Sequence, residues 1–173
     1  VTTTGTNIGS YINAPVTNQG LFDLNQNLTI VNAGKTFSQT SGTVDIEAGR
    51  TFSISGGTFD WQGGTIQNTG ILNLSGAVFS MGGAGTRVLD GPTISGNNVT
   101  LGGGSLEVKS GTFSAFGTTN ISGGATLQLT GGTFNPTGQL NNDGLIDLDV
   151  GSLSLGSGGT HTQVLLIWMR VRH

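Results

Sequence analysis

Glycine at every seventh position, short apolar–polar alternation between those glycines, and three apolar columns recurring about every 21 residues predict an all-β chain. The implied architecture is a parallel β-solenoid, or β-helix, of about seven coils with three short strands per coil.

Gly42, Gly49, Gly56, Gly63 and Gly70 follow one another at intervals of seven, and Gly117, Gly124, Gly131 and Gly138 repeat the pattern. With 32 Gly in 173 residues, chance supplies about 0.03 runs of the first kind. Between the glycines stand Thr43-Val-Asp-Ile, Thr51-Phe-Ser-Ile, Thr58-Phe-Asp-Trp and Ile71-Leu-Asn-Leu. Alternation with a period of two, closed by Gly, reads as a strand and a tight turn. Seven residues make one side of a coil.

Every third side resembles its predecessor. One inward column reads Phe22, Val44, Ile66, Val88, Leu106, Leu127, Ile146; a second reads Ile30, Phe52, Leu72, Ile94, Phe113, Phe134, Leu153; a third reads Phe37, Phe59, Phe79, Leu101, Ile121, Leu140. Three columns with one period describe three walls around one core. A coil returns to its start after three short sides, so parallel strands pair without the helical crossover that they otherwise need. Gly, Thr, Ser and Asn make up 86 of the 173 residues. Gly at the corners accepts positive φ, and Thr suits a pleated, half-exposed surface.

Along the chain, residues 1–19 lack the period and read as an N-terminal cap or linker, 20–159 as the solenoid, and 160–173 as a C-terminal cap or docking segment. The start lacks Met, a basic segment and an apolar segment, and is expected to be a processed or trimmed terminus. The last segment carries the apolar run Val164, Leu165, Leu166, Ile167, Trp168, Met169, which would cover the open edge of the last coil or dock a further subunit.

Composition narrows the function classes. Charged residues are 9% of the chain, net charge is -3, and there are only two lysines, Lys35 and Lys109, so the footprint of a nucleic-acid binder is missing. No apolar stretch is long enough to insert in a membrane as a helix. There is no Cys, and the two His, His161 and His173, both stand near the C-terminus. That leaves a catalytic triad or a metal site without parts, so no cofactor, no metal and no enzymatic activity is expected. The sequons at Asn27, Asn73, Asn98 and Asn120 match the number chance supplies.

The segments Asn18-Gln-Gly-Leu-Phe-Asp-Leu, Asn68-Thr-Gly-Ile-Leu-Asn-Leu and Asn142-Asp-Gly-Leu-Ile-Asp-Leu resemble the Gly- and Asn-punctuated repeats of bacterial secreted β-solenoids. Autotransporter passengers and filamentous-haemagglutinin-like adhesins are the families in question, and the resemblance covers roughly 20–159. It implies a right-handed parallel β-helix at the cell surface or outside the cell, used for adhesion, display or fibre building.

An outward column on the first wall reads Asp23, Asp45, Gln67, Glu107, Gln128, Asp147. A solvated face that keeps the rod soluble accounts for it; a stripe binding glycans or a cation is the functional alternative, with Asp23, Asp45, Glu107 and Asp147 as candidates. The expected function is a structural or adhesive extracellular rod that self-associates head to tail and meets surface glycans. A glycan-binding or glycan-cleaving β-helix is the alternative, disfavoured as an enzyme by the absence of long loops. An ice-binding solenoid is a further one, suggested by Thr43, Thr65, Thr86, Ser105 and Thr126. A flat ice face would want two matched columns, and the neighbouring column on that wall is acidic.

Overall fold

A strand of three to five residues can bury only two side chains on one face, so it gains stability by stacking on copies of itself. The computed structural model, which describes residues 2–3, 10–31, 33–74, 76–156, 161–162 and 167–169, does this throughout. Its strands form three walls, every pairing is parallel, and no helix occurs among the described residues. Wall one contains Thr2–Thr3, Leu21–Leu24, Thr43–Ile46, Gly64–Gln67, the first part of Thr86–Gly96, the first part of Gly104–Ala115, Ala125–Leu129, Leu145–Leu148 and Ile167–Met169. Wall two contains Ser10–Ile12, Leu28–Val31, Thr51–Ser55, Ile71–Leu74, the latter parts of the same two long strands, Thr133–Pro136 and Ser152–Leu153. Wall three contains Val16–Asn18, Thr36–Gln39, Thr58–Trp61, Val78–Met81, Val99–Leu101, Thr119–Ile121, Leu140–Asn142 and His161–Thr162. Three strands per coil and about seven coils agree with the sequence reading. Strands in 1–19 and 160–173 pair in the same walls as the coils beside them.

The interior is a stack of rings and aliphatic side chains. Seven of the eight phenylalanines form one aromatic spine, with successive ring centroids 5.2–5.8 Å apart from Phe22 through Phe37, Phe59, Phe79 and Phe113 to Phe134, and Phe52 set against Phe22 and Phe37. Phe116 is the exception and lies exposed. Trp61 is fully buried, and its indole N–H donates to the Gly63 carbonyl at 3.0 Å. Near the N-terminal end the interior is polar at one position: Asn18 Nδ2 donates to Gln39 Oε1 at 2.7 Å, and Gln39 Nε2 donates to the Ser41 carbonyl at 2.8 Å, so these buried amides are satisfied.

Register corrects four members of the expected columns. Phe52 stacks on Leu28 and not Ile30, Phe79 on Val99 and not Leu101, and Ile121 on Asn142 and not Leu140. Each strand has two inward positions, i and i+2, both commonly apolar, so apolar character alone does not say which of them stacks on which. The fourth error is a shift of one residue. Ile66 stacks on Leu89, and Val88 points outward between buried Arg87 and Leu89. In register, Ser80 follows Asp60 by 20 residues but Arg87 follows Gly64 by 23, so the corner between them holds three extra residues, and an odd insertion turns a strand over.

The corner glycines act in two ways. At Gly42, φ is +73°, and a Cβ would lie 2.2 Å from the carbonyl oxygen of Gly20 in the coil below. At Gly138, where no positive φ is involved, the cause is close approach alone, with a Cβ 2.1 Å from the Gly117 carbonyl oxygen. Gly34 has φ +70° but open space around it. Gly34→Ala is therefore expected to cost only the left-handed backbone, about 1–2 kcal/mol, and Gly42→Ala clearly more. Equal urea midpoints for the two variants would remove close corner stacking as a reason for the glycines.

The three segments that resemble one another occupy two different corners. Asn18 and Asn142 turn wall three into wall one with buried side chains, and their Oδ1 atoms accept from the backbone N–H of Gly20 at 3.3 Å and Gly144 at 3.2 Å. Asn68 turns wall one into wall two with an exposed side chain at φ +78°.

Candidate functional site

Outward side chains sit at one height per coil, about 4.8 Å apart along the axis, close enough to hydrogen-bond to their equivalents. On wall one, Asp23 faces Asp45, Asp45 faces Gln67, Gln67 faces Asp90, and Asp90 is matched with Ser110. Glu107 belongs to the neighbouring column, which runs Thr65, Val88, Glu107, Gln128, Asp147. The single acidic column of the sequence is thus two columns. The structure brings Asp23 and Asp45 together, and it sets Glu107 and Asp147 apart from them with Gln128 in between.

Amides donate to the carboxylates that do meet. Both oxygens of Asp45 accept, Oδ2 from Gln67 Nε2 at 2.8 Å and Oδ1 from Asn68 Nδ2 at 2.9 Å. With the Asn25 amide turned so that its NH2 faces the acids, it donates to Asp23 Oδ1 at 3.1 Å and Glu47 Oε1 at 2.8 Å. This arrangement offsets the like-charge contact with the chain's own donors. Further along, Ser110 Oγ donates to Asp90 Oδ1 at 2.8 Å, and Thr130 Oγ1 donates to Glu107 Oε1 at 3.0 Å. Lys109 stands 4.0 Å from Asp90, both half-exposed, a pairing of little energetic weight. Asp147 Oδ1 is buried and takes no hydrogen bond among the described residues. No group of three or more His, Cys, Asp or Glu is placed to hold a metal among those residues.

Wall two carries the most regular face. Its outward positions form two matched columns: Thr51, Ile71, Thr93, Thr112, Thr133, Ser152 and, two residues on, Ser53, Asn73, Ser95, Ser114, Asn135. Thr133 and Ser152 share a hydrogen bond of 2.8 Å between their hydroxyls. The described strands of this wall contain no Asp, Glu, Lys or Arg. The signal was present in the repeated tripeptides Thr51-Phe-Ser, Thr93-Ile-Ser and Thr112-Phe-Ser. By contrast, the threonines weighed for an ice face on wall one do not form one column: Thr43 faces Thr65, Thr65 faces Val88, and Thr86 faces Ser105.

Arg87 is a feature that went unread. It points into the interior with no exposed surface, in register with Gly64, and the room for its guanidinium comes from Gly104 one coil on, where a Cβ would stand 2.4 Å from Nη1. Its Nε donates to the Trp61 carbonyl at 3.0 Å and its Nη1 to those of Gly85 at 3.0 Å and Gly103 at 3.4 Å, while Nη2 donates to the Gly82 carbonyl. One guanidinium therefore ties the corners of three successive coils. Burial pushes its pKa below the ordinary value and the Asp60 carboxylate raises it part of the way back; the group stays charged. Outside this corner is an open polar groove lined by Thr40, Asp60, Gln62, Gly82, Gly83 and Ala84, where Gln62 Nε2 donates to Asp60 Oδ2 at 2.7 Å.

The rod ends are the remaining site. The partly buried apolar residues against the core are Ile12 and Val16 near one end and Leu148 and Leu153 near the other. Of the apolar run, Val164, Leu165 and Leu166 lie outside the described residues. Ile167, Trp168 and Met169 form a strand on wall one opposite Ile146, Asp147 and Leu148.

These features define a β-solenoid repeat protein. Comparison with protein-family models, curated proteins and solved structures finds no match for this chain. Among the described residues, no helix is long and apolar enough to cross a membrane.

Proposed function

We propose that this chain is a non-enzymatic structural or adhesive rod, working outside the cell or at its surface, whose subunits stack head to tail along the solenoid axis. The observation that carries the reading is that, among the described residues, the core is covered along its length and is only partly buried near its two ends, at Ile12, Val16, Leu148 and Leu153. An end coil presents unpaired parallel edges, and a second rod placed there would pair them and extend the apolar columns with no new chemistry. A contact of this kind is heterologous, so it propagates as a filament instead of closing. The net charge of -3 offers little repulsion against it. The amide and hydroxyl groups on the walls are suited to surface glycans as lateral partners. Purified protein is expected to scatter light increasingly with concentration and to show fibres in negative stain. A chain that stays a single rod at high concentration defeats the stacking. Deleting 163–173 tests the apolar run separately, since unchanged assembly would remove it from the contact.

The two columns of wall two favour a second reading, ice binding, because they carry no charge and present hydroxyls at every position except Ile71, Asn73 and Asn135, the chemistry that an ordered water surface would match. Thermal hysteresis lost on Thr93→Lys would support it, and none in the parent protein would end it.

A further inference from the structure

The groove outside the Arg87 corner offers a volume of about 480 Å³, within the range of roughly 300–1,000 Å³ typical of small-molecule sites. Three successive coils build it. Gly82, Gly83 and Ala84 line it from the coil whose corner holds three extra residues, Asp60 and Gln62 from the coil before, and Thr40 from the one before that. Gly82 is not called for by the corner itself. Its φ is not positive, and a Cβ added there would meet nothing within 4 Å, so neither reason that fixes Gly42 and Gly138 applies to it. The open space beside it is the groove.

The polar groups left over are mainly acceptors. The 2.7 Å bond from Gln62 Nε2 to Asp60 Oδ2 ties the two head groups together, and Asp60 Oδ1 and Gln62 Oε1 take no further hydrogen bond among the described residues. Ser38 and Ser80 stand opposite Asp60 in the coils on either side and add hydroxyls to the same outward column. Charge argues against an ion as the occupant. Asp60 acts electrostatically on the buried guanidinium of Arg87, so its negative charge is already offset and holds a cation less firmly. An anion finds no donor from Arg87, whose nitrogens are committed to the carbonyls of Trp61, Gly82, Gly85 and Gly103. Hydroxyl groups meet both conditions, since they donate to a carboxylate in charge-assisted bonds and exchange bonds of either sense with serine.

We propose, on the reading that surface glycans are lateral partners of the rod, that this groove is a glycan subsite. Adjacent hydroxyls of a neutral sugar unit donate to Asp60 Oδ1 and Gln62 Oε1, and Gly82 keeps free the space that the sugar ring occupies.

Trp61 lies between Asp60 and Gln62 in the chain, so its emission reports on the groove once the other tryptophan is removed by Trp168→Phe. The full chain carrying that substitution is titrated with neutral tetrasaccharides of glucose, mannose, galactose and N-acetylglucosamine, and with anionic tetragalacturonate and cationic tetraglucosamine. Calorimetry reads binding anywhere on the rod, and Trp61 emission reads it at the groove. A saturable change in both is expected with at least one neutral probe, and none with the charged ones. Gly82→Val and Asp60→Asn, each added separately, are expected to weaken that binding about tenfold or more with the folded circular-dichroism spectrum unchanged. Heat of binding without a change in Trp61 emission, or binding that both substitutions leave intact, overturns the groove as the site while glycans stand as partners. Tighter binding of either charged probe at the groove overturns the assignment to neutral sugars. No heat with any probe defeats the glycan reading and the subsite with it, and leaves head-to-tail stacking untouched.

Discussion

Phe59→Ala is expected to destabilise the rod by about 3–5 kcal/mol, the range for truncating a buried Phe. The ring has no exposed surface; it stacks on Phe37 at 5.5 Å, tilts against Phe79 at 5.8 Å and meets Trp61 edge-on at 6.4 Å. Coils above and below hold the gap open, because closing it would require two walls to move inward against paired backbone. The next residue, Asp60, points outward, and Asp60→Asn is expected to change stability by less than about 1 kcal/mol. Urea denaturation of the three proteins checks both, and equal midpoints for the two variants would mean that the inward and outward faces are misassigned.

The second large effect is expected at Arg87. Arg87→Ala removes the donor from the carbonyls of Trp61, Gly82, Gly85 and Gly103 and empties the interior space that the buried side chain fills. The Gly85 carbonyl keeps the Ser105 N–H at 2.8 Å, but the Trp61 carbonyl is buried and losing its donor costs roughly 1–3 kcal/mol; with the packing of a fully buried side chain lost as well, a total of about 3 kcal/mol or more is expected. Arg87→Lys is expected to recover only part of it, because one ammonium does not span carbonyls that the planar fork reaches from three nitrogens. The substitution Gly104→Ala probes the same cluster from the other side, since a Cβ there would stand 2.4 Å from Arg87 Nη1. A full-strength urea midpoint for Arg87→Ala would mean that water replaces the guanidinium and that the corner does not depend on it.

What made the solenoid legible is that its structural demands fall on single residue types. Close corner stacking demands Gly at Gly42 and Gly138, and the spine demands Phe at Phe37, Phe59 and Phe79, so the period surfaces in the letters themselves. Exact stacking was less legible, because the two inward positions of a strand carry the same kind of residue; Leu28 and Ile30 are equally good neighbours for Phe52 until the corner lengths are known. Arg87 escaped for a related reason. The corner between Ser80 and Arg87 holds three more residues than that between their partners Asp60 and Gly64, which reverses the faces of the strand after it, and nothing in an alternating Thr86-Arg-Val-Leu-Asp marks the Arg and not the Val as inward. That same reversal split the acidic column in two. The wall-two face was readable as a tripeptide repeat, but its freedom from charge acquires meaning only once six coils are aligned.

Each strand's partner lies about one coil away along the chain, as Thr58–Trp61 pairs with Thr36–Gln39 behind it and Val78–Met81 ahead of it. This has a kinetic consequence. No coil can form alone, since none of its three strands has a partner within it, so the slow event is the meeting of the first two coils. After that, every added coil closes a loop of the same length at the same entropic cost and gains the same kind of contact. Growth from such a nucleus is a zipper whose rate per coil does not fall as the rod lengthens. Loss of structure should run the other way, peeling from the terminal coils while Phe59 and Phe79 at the centre exchange their backbone amides last.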